Sequence, residues 1–534
     1  MAEFGEILKN IGEFGLFQKV TLIAVSFPNL IQSFIFASFL FFQPDPERHC
    51  NTDWILRADP NLTTAEQLNL TLPREEDGTF SRCRMFVPVD WDIGAIRDYG
   101  LNETTVCQDG WVYYNLMYES TIVTDFDLIC GKAKLVEVIQ TVFMVGVLFG
   151  SLIFGPCAES FGRKRATQIP VVILFVFVVT AALSPNIYLY LACQFMVGLG
   201  AGAYRINCII LSTEWIGVSK RSWGACVTQL FGAVGQCILA GLVYAVRDWR
   251  LAQLITAAPA AVAIIYIWFI PESARWLLGR GRTDEAKQLI IKAAAINKRT
   301  VPDSLLDKIA VKDVRHKGGI KIIFKSPVLT KYFFILILAW FSLSLSIYSL
   351  YFDMGNLGFN IFMTQLLFGA IEIPALILCM WLLEVFGRKI LYIATLLSAG
   401  LSCILIIAVP PDYDIAVTSL AVIARFFLIA AATTCGVFTQ ELFPTSVRQT
   451  ATALGAISGR IGALLAPLLK FSAIYHWTIP ITIFSSLTLV SGALGFMLSE
   501  TKNKELPDSA DEAENRNRGS TNTVTCPIPN STKL

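Results

Sequence analysis

The sequence AESFGRKRA at residues 158–166 returns as LEVFGRKIL at residues 383–391, an offset of 225 positions. Two further charged signatures return at nearly the same offset. TEWIGVSKRSWGA at 213–225 returns as QELFPTSVRQTAT at 440–452, and PESARW at 271–276 returns more faintly as SETKNK at 499–504. Three signatures at one near-constant offset predict two halves in parallel orientation, which is the layout of transporters whose halves rock about a central site.

Composition places these halves in a membrane. Of the 534 residues, 54% are hydrophobic and 16% are charged, which is too apolar for one water-soluble core. Apolar runs of about 20 residues, long enough to cross a bilayer, recur along the chain. We predict an all-α integral membrane protein with twelve transmembrane helices, six in each half. The predicted spans are 18–42, 135–158, 167–185, 187–212, 222–246, 250–271, 329–352, 360–384, 389–409, 414–440, 448–472 and 477–498.

Basic residues cluster in alternate gaps between the spans, and the positive-inside rule places those gaps and both termini in the cytoplasm. A segment at 283–297 within the linker is typical of an amphipathic helix. The predicted organisation is an N-terminal amphipathic segment 1–17, a first half 18–271, a linker 272–328, a second half 329–502 and a disordered tail 503–534.

One gap on the opposite side is long and polar, from 43 to 134. It carries four cysteines and three glycosylation sequons, whereas only one sequon, at Asn530, falls in the predicted cytoplasmic tail. An extracellular loop with four cysteines predicts two disulfides, of which three pairings are possible. The cysteines are Cys50, Cys83, Cys107 and Cys130, and the sequons begin at Asn61, Asn69 and Asn102. The nine other cysteines show no metal-ligand spacing and are interpreted as small apolar residues.

The repeated cytoplasmic signatures each combine an acid with an arginine. Such pairs can join the two halves, or bind helix termini, and hold the cytoplasmic side shut. The alternative, that the basic residues serve only as topology signals, leaves the acids unexplained. The predicted latch comprises Glu159, Arg163, Glu214, Arg221, Glu384, Arg388, Glu441 and Arg448.

Other function classes find little support. The three histidines lie in no nucleophile or metal constellation, and no phosphate-binding loop is present, which disfavours an enzyme or an ATP-driven pump. The net charge of +2 gives no reason to expect nucleic-acid binding. We expect no cofactor and a monomer in the lipid bilayer. A receptor built like a transporter stays open as an alternative.

The motifs resemble those of a known family. FGRK twice, STEW at 212–215, RDWR at 247–250, PESARWLLGRGRTDEA at 271–286 and the cysteine-bearing first outer loop are similar to the organic ion transporters of solute carrier family 22, within the major facilitator superfamily. ILAGLVYAVRDWRLAQL at 238–254 is most similar to the organic anion branch, which includes carriers of urate and nicotinate. The resemblance implies polyspecific secondary transport across the plasma membrane, by exchange with a counter-anion. The alternative is a zwitterion or cation carrier like the carnitine branch.

Arg460 stands alone among small and apolar residues in SGRIGALLAP, about 18 Å along a helix from Arg448. An isolated charge near the bilayer centre costs at least about 2.5–3.5 kcal/mol and needs a partner. The resemblance implies that Arg460 is the counter-charge for a carboxylate, sulfate or urate-like substrate. The alternative is a permanent salt bridge with Glu372 at similar depth, and a mixed role that includes Glu372 among the substrate-binding residues is also open.

Anion-carrying relatives commonly have a cation where this chain has Leu376, whereas Arg205 occupies a fourth-span position that is usually uncharged in them. We therefore expect Arg205 to replace the lost charge, unless it snorkels to the cytoplasm. The resemblance places five further residues at or near pocket positions: Asn29, Gln32, Tyr348, Tyr351 and Phe438. The glycines Gly198, Gly200 and Gly202 are predicted to allow close helix contact.

Overall fold

The computed structural model describes residues 2–75, 78–114, 119–217, 221–308, 321–352, 360–410, 413–443 and 447–501. Within these ranges twelve helical segments are long and apolar enough to cross a bilayer, which confirms the predicted fold class. The segments are Leu16–Phe36, Cys130–Ala158, Arg163–Ala182, Ile187–Ser212, Cys226–Ala245, Trp249–Ile267, Pro327–Phe352, Ile361–Leu383, Arg388–Ala408, Asp414–Leu442, Thr450–Ile474 and Thr478–Met497.

Along the chain, the helices of the first half come before and after a polar unit described below. Its helices are α1 (Ala2–Ile11), α2 (Leu16–Ser26), α3 (Asn29–Phe42), then α4 (Thr64–Thr71), α5 (Ile93–Tyr99) and α6 (Ile122–Asp125) of the polar unit, followed by α7 (Leu135–Phe161), α8 (Arg163–Ala182), α9 (Ile187–Trp215), α10 (Arg221–Ala245), α11 (Trp249–Thr256) and α12 (Ala258–Ile267). The linker and second half follow as α13 (Ala274–Gly279), α14 (Thr283–Ile296), α15 (Asp303–Lys308), α16 (Lys321–Lys325), α17 (Pro327–Phe352), α18 (Ile361–Phe386), α19 (Arg388–Ala408), α20 (Asp414–Leu442), α21 (Arg448–Leu469) and α22 (Thr478–Leu494).

Two predicted spans are divided in the structure. The first span consists of α2 and α3, which meet at Phe27 and Pro28. The sixth consists of α11 and α12, with Pro259 in the first turn of α12. Proline lacks a backbone N–H and clashes with the preceding turn, so each continuous apolar run contains two helices.

Helices α7 and α9 approach closely through glycines. A Cβ atom at Gly198 would lie 2.2 Å from the carbonyl oxygen of Phe143, and one at Gly202 would lie 2.2 Å from that of Val147. From α7, a Cβ at Gly150 would lie 2.1 Å from the carbonyl oxygen of Leu199. The backbones meet because these residues have no side chain, which confirms the packing role predicted for the glycines of α9.

Residues 41–138 and 246–249 form a separate compact unit, and the remaining residues form the other. The smaller unit contains two antiparallel ribbons. They pair β1 (Arg48–Cys50) with β4 (Trp111–Tyr113), and β2 (Arg84–Phe86) with β3 (Thr104–Val106). Disulfides Cys50–Cys107 and Cys83–Cys130 cross-link the unit, with Cα–Cα distances of 5.1 and 5.7 Å. The structure thus contains two disulfides, as predicted, and selects one of the three pairings.

The small hydrophobic core of this unit contains Cys50, Leu72 and Met85. Each disulfide closes a loop of roughly 50 residues, for which chain-entropy estimates give about 4 kcal/mol of stabilisation. The cross-links therefore compensate for a small core. The acceptor side chains Asn61, Asn69 and Asn102 are all exposed.

The N-terminal segment and the linker contact each other through Asn297, the residue that follows α14. Its Oδ1 accepts a hydrogen bond from the backbone N–H of Phe17 at 2.9 Å, and its Nδ2 donates to the carbonyl of Ile11 at 3.0 Å. The helix α14 covers most of the predicted amphipathic segment at 283–297. Ile7, Leu8 and Ile11 of α1 are buried, consistent with an amphipathic helix.

Candidate functional site

Arg460 lies in the middle of α21 and is half-buried. Its guanidinium lies beside Tyr348 on α17, close enough for an electrostatic interaction with the hydroxyl. Arg205 on α9 lies within electrostatic range of Arg460 and is also half-buried. The structure therefore brings together two cations, one from each half, that the sequence separates by 255 positions.

Neither cation has a carboxylate within ion-pair distance among the described residues. Two guanidinium groups close together repel each other, and the cost of each charge is high away from bulk water. The arrangement has a net positive charge that an organic anion would neutralise. Arginine is suited to this role because its planar donors bind carboxylates and sulfates in pairs.

Aromatic rings beside Tyr348 come from both halves. The ring of Tyr348 lies 5.4 Å from that of Phe36 on α3 and 6.4 Å from that of Phe352. Phe36 in turn makes an edge-to-face contact with Phe143 on α7, with centroids 5.1 Å apart. These rings form an apolar wall next to the two arginines, against which a planar ligand can pack.

The two amides predicted for the first span lie at the start of α3. Asn29 is buried, and its Nδ2 contacts the sulfur of Cys208 on α9 at 3.6 Å. Cys208 lies one turn beyond Arg205, so Asn29 packs near the cationic pair. Gln32 is buried as well, and its Nε2 has no hydrogen-bond partner among the described residues.

Phe438 lies in the interior of the second half. Its side chain has no exposed surface, and its ring packs against Tyr392 of α19 with centroids 5.6 Å apart. Both rings belong to the interior of the second half. In this structure Phe438 is a packing residue, and its contact with a ligand stays a prediction.

Glu372 pairs with Arg425 and not with Arg460. The Oε1 atom of Glu372 accepts a hydrogen bond from Nη2 of Arg425 on α20, and both side chains are buried. The sequence-based alternative of a permanent Glu372–Arg460 salt bridge is therefore wrong. The sequence predicts the depth of Glu372 in the membrane but not the direction in which α18 presents it. In the structure, the face of α18 that carries Glu372 packs against α20.

Tyr351 belongs to the surroundings of this pair. Its ring lies 5.6 Å from the guanidinium carbon of Arg425, and its hydroxyl has no hydrogen-bond partner of good geometry. Tyr351 also interacts with Tyr348, one turn away on α17. It is thus a buried neighbour of Tyr348 on the same helix.

Two residues near the site were missed by sequence reasoning. Arg425 is the lone charge in AVIARFFLIA, and the signal that identified Arg460 could have identified it too. Trp340 on α17 is half-buried, and its Nε1 donates a hydrogen bond to Thr439 on α20 at 3.2 Å. Its ring packs against Gly455 of α21, where an added Cβ would lie only 2.9 Å from the ring. A tryptophan facing a small-residue helix is difficult to recognise, since the glycines are far away in sequence.

The repeated charged signatures form the same contacts in each half. Nε of Arg163 lies 3.3 Å from Oε1 of Glu214, and Nε of Arg388 lies 3.0 Å from Oε2 of Glu441. Each ion pair joins helices of a single half, so these four side chains do not pair across the halves here. A latch between the halves stays a prediction. The side chains of Glu159, Arg221, Glu384 and Arg448 lie outside the described part of the structure.

Sequence reasoning also missed the role of Glu272 and Glu500. Each carboxylate accepts hydrogen bonds from the first backbone amides of a neighbouring helix, Glu272 at α8 and Glu500 at α19. The faint third repeat of the sequence contains both residues and was the available signal.

Comparison with known proteins agrees with this architecture. The family described as "Sugar (and other) transporter" matches residues 89–511. The chain is similar to the solved structure of the major facilitator superfamily proton:xylose symporter XylE bound to 6-bromo-6-deoxy-D-glucose, with a TM-score of 0.59 at 15% identity over 93% of this chain and 99% of that one. This second likeness shows a shared fold.

Two relatives of higher identity are solute carriers of one family. "Solute carrier family 22 member 13" of Homo sapiens is 38% identical over 517 residues, covering 96% of this chain and 94% of the relative. "Solute carrier family 22 member 6" of Rattus norvegicus is 30% identical over 528 residues, covering 97% and 95%. With the repeated signatures and the twelve spans, these matches show that the chain belongs to solute carrier family 22 of the major facilitator superfamily, within its organic anion transporter branch.

Proposed function

We propose that this protein carries organic anions across the plasma membrane by alternating access, without chemical change of the substrate. The candidate substrates are urate, nicotinate and other carboxylates or sulfates. The observation that carries the proposal is the cationic pair Arg460 and Arg205, contributed by opposite halves and lacking an acidic partner among the described residues. An anion between them bridges the halves, and this is what a substrate must do in a rocking mechanism.

Tyr348 adds a neutral hydrogen-bonding group beside Arg460, and Phe36 adds an apolar face. Together they favour flat anions with one charged edge over small inorganic ions. We propose exchange with an intracellular organic anion as the driving reaction. Preloading cells with an unlabelled carboxylate should then accelerate uptake of the labelled anion, and equal uptake by loaded and unloaded cells would contradict exchange.

The rival proposal is a zwitterion or cation carrier. It draws on the absence of a cation at Leu376, which weakens the resemblance to anion carriers. However, Glu372, the acid closest to such a role in the described spans, is already neutralised by Arg425. A cation would find the positive pair Arg460 and Arg205 instead, so the anion proposal is favoured on charge.

The central test is uptake of radiolabelled urate and nicotinate by cells that express the native chain, Arg460→Ala or Arg460→Lys at matched surface amounts. Charge-assisted hydrogen bonds contribute about 1.5–3 kcal/mol, so Arg460→Ala should lower uptake efficiency roughly ten- to hundredfold. Arg460→Lys keeps the charge but loses the paired guanidinium donors, so its uptake efficiency should lie between those of the native chain and Arg460→Ala. Native uptake that survives in Arg460→Ala would remove Arg460 from the site.

A competition panel separates the two classes of carrier. Urate, nicotinate and a steroid sulfate should inhibit uptake, whereas carnitine and tetraethylammonium should not. Inhibition by the cations alone would overturn the anion proposal.

We further propose that residues 43–134 face the outside, that both termini are cytoplasmic and that the protein acts as a monomer. Exposure of Asn61, Asn69 and Asn102 supports use of the three sequons. Substituting each by Gln should remove one step of glycosidase-sensitive mobility on a gel. Asn530→Gln is the matched control and should change nothing, because a cytoplasmic sequon is not glycosylated.

A further inference from the structure

The buried ion pair of Glu372 and Arg425 has more polar neighbours than an ordinary structural salt bridge needs. Glu372 is 7% and Arg425 4% exposed. Burying two charges costs several kcal/mol per ion, and well-packed apolar residues of similar volume often stabilise a protein as well or better. The pair is therefore poor evidence of a role in stability, and its surroundings point to another role.

Arg425 is only partly satisfied by Glu372. Its Nε and Nη1 atoms have no hydrogen-bond partner among the described residues, and its guanidinium carbon lies over the rings of Tyr351 and Phe368, 5.6 and 5.9 Å from their centroids. The amide of Gln365 is fully buried beside Tyr351 and likewise lacks a well-formed hydrogen bond. Cation–π attraction to these two rings favours this position of the Arg425 guanidinium.

The same cluster reaches across to the first half. Nε2 of Gln236 on α10 donates to Oε1 of Glu372 on α18 at 3.4 Å. The two helices are close here, since a Cβ at Gly369 would lie 3.0 Å from the Cβ of Gln236. The carboxylate of Glu372 thus has one partner in each half of the protein, Arg425 in its own and Gln236 in the other.

Contacts then lead from the cluster to the candidate substrate site. The guanidinium of Arg425 lies over the ring of Tyr351 at 5.6 Å. The rings of Tyr351 and Tyr348 both pack against Phe352, with centroids 6.4 Å apart in each case, and Tyr348 lies beside Arg460. Tyr348 and Arg460 are half-buried, whereas Tyr351 and Arg425 are buried.

We propose that Arg425 is a positioning residue for the anion site: held by Glu372, it orients Tyr351 and through it the Tyr348 hydroxyl against Arg460. Gln236 makes this arrangement depend on the contact between α10 and α18. When the halves rock apart at this contact, Glu372 loses its Gln236 donor and the orientation of Tyr348 loosens. The site then binds the anion with different affinity in the two states, and that difference is what couples binding to the conformational change. The inference rests on the proposed transport of organic anions.

The first test exchanges the two charges. Removing one partner leaves an uncompensated buried charge and can prevent folding, so the informative variant is the double exchange Glu372→Arg/Arg425→Glu, with Arg425→Lys beside it. The exchange keeps an ion pair but moves the guanidinium from α20 to α18, away from Tyr351. We expect the apparent KM for labelled urate or nicotinate to rise roughly 2- to 30-fold at matched surface amount, the range typical of residues that modulate coupling.

Cys379→Ala is the matched control. Its sulfur contacts the carbonyl of Ala430 at 3.5 Å and Thr434 at 3.3 Å, so it removes another buried contact between α18 and α20 without touching the cluster. The KM of this variant should equal the native value. If Glu372→Arg/Arg425→Glu keeps the native KM and maximal rate, the position of the guanidinium does not matter. That result would overturn the proposal.

The second test needs no substrate. The rings of Tyr244 on α10 and Phe362 on α18 lie 5.6 Å apart. A short bis-maleimide should therefore cross-link the two cysteines of Tyr244→Cys/Phe362→Cys. After cleavage at a protease site inserted in the linker, the cross-linked halves should stay joined and run as one band on a denaturing gel. Adding Gln236→Leu should lower the cross-linking yield, because the α10–α18 contact loses its polar link. An unchanged yield would contradict the role of Gln236. If the native chain transports no organic anion while the yield still falls, the proposed function fails and the contact between the halves stands.

Discussion

Glu500 caps the start of α19 in the same way as Glu272 caps the start of α8. The carboxylate of Glu500 accepts the amides of Arg388 and Lys389 at 3.0 and 3.1 Å, and that of Glu272 accepts the amide of Lys164 at 3.0 Å. The first amides of a helix lack partners within it, and the helix dipole attracts an anion to that end. Each half therefore links its last helix to the start of its third span by one acid.

The glycine before each capped helix should be irreplaceable. Gly387 has φ of +89°, and a Cβ there would lie 2.8 Å from Oε2 of Glu500. Gly387→Ala should destabilise the protein by about 1–3 kcal/mol, measured as a lower melting temperature in detergent. Gly241→Ala in α10 is the control, since its added Cβ would meet open space among the described residues beyond its own helix. Equal melting of the two variants would contradict the conformational requirement.

Close packing of α7 against α9 predicts a second glycine that cannot be replaced by a larger residue without loss of stability. A methyl group at Gly202 would collide with the backbone of Val147, so Gly202→Ala must separate the helices, at a cost of about 1–3 kcal/mol typical of overpacking. The loss should appear as reduced surface amount and a lower melting temperature. Gly155→Ala, in α7 and with open space around it, should behave like the native chain. A stable Gly202→Ala would mean that the helices are farther apart than described.

The disulfide pairing predicts which cysteine variants are equivalent. Cys83→Ser should release one new thiol, that of Cys130, detectable by alkylation and mass spectrometry. Cys83→Ser/Cys130→Ser should then fold no worse than the single variant. Cys50→Ser/Cys83→Ser removes both bonds and should reduce the surface amount further, because each bond contributes about 4 kcal/mol. Release of Cys50 or Cys107 by Cys83→Ser would disprove the pairing.

The two arginines predict a dependence on substrate charge. If Arg205 and Arg460 share one ligand, Arg205→Gln should raise the KM of a dicarboxylate more than that of nicotinate, by roughly tenfold for one lost charge-assisted contact. Arg205→Lys should restore part of the preference. Saturation kinetics for both substrates at matched surface amounts measure the difference. An equal effect on both would assign Arg205 a role other than contacting the second charge.

Much of the architecture could be predicted because its signals are local. A bilayer requires about 20 apolar residues in each helix, so twelve such runs predict twelve spans whatever their arrangement. The repeated FGRK signatures, with Gly162 and Gly387 both at positive φ, predict two equivalent halves. Pro28 divided a predicted span, which the apolar pattern alone did not indicate.

The candidate site was only partly predictable. Arg460 and Arg205 attracted attention as single charges in apolar runs, and the structure brings them together. Arg425 carries the same signal yet has a different role, because it faces Glu372 on a neighbouring helix. Phe438 and Tyr348 are both aromatic residues of transmembrane helices, but one is fully buried against Tyr392 and the other contacts Arg460.

By itself, the sequence determined that this is a twelve-span, two-half membrane protein with a cross-linked polar loop, because hydropathy, charge and repeats are properties of consecutive residues. The tertiary structure alone decided which charges pair, which cysteines bond and which aromatic rings lie beside the arginines. These contacts depend on the rotation of each helix about its axis and on how closely glycines let the helices approach. Neither quantity is a property of consecutive residues, so contacts between side chains hundreds of positions apart are decided only by the folded structure.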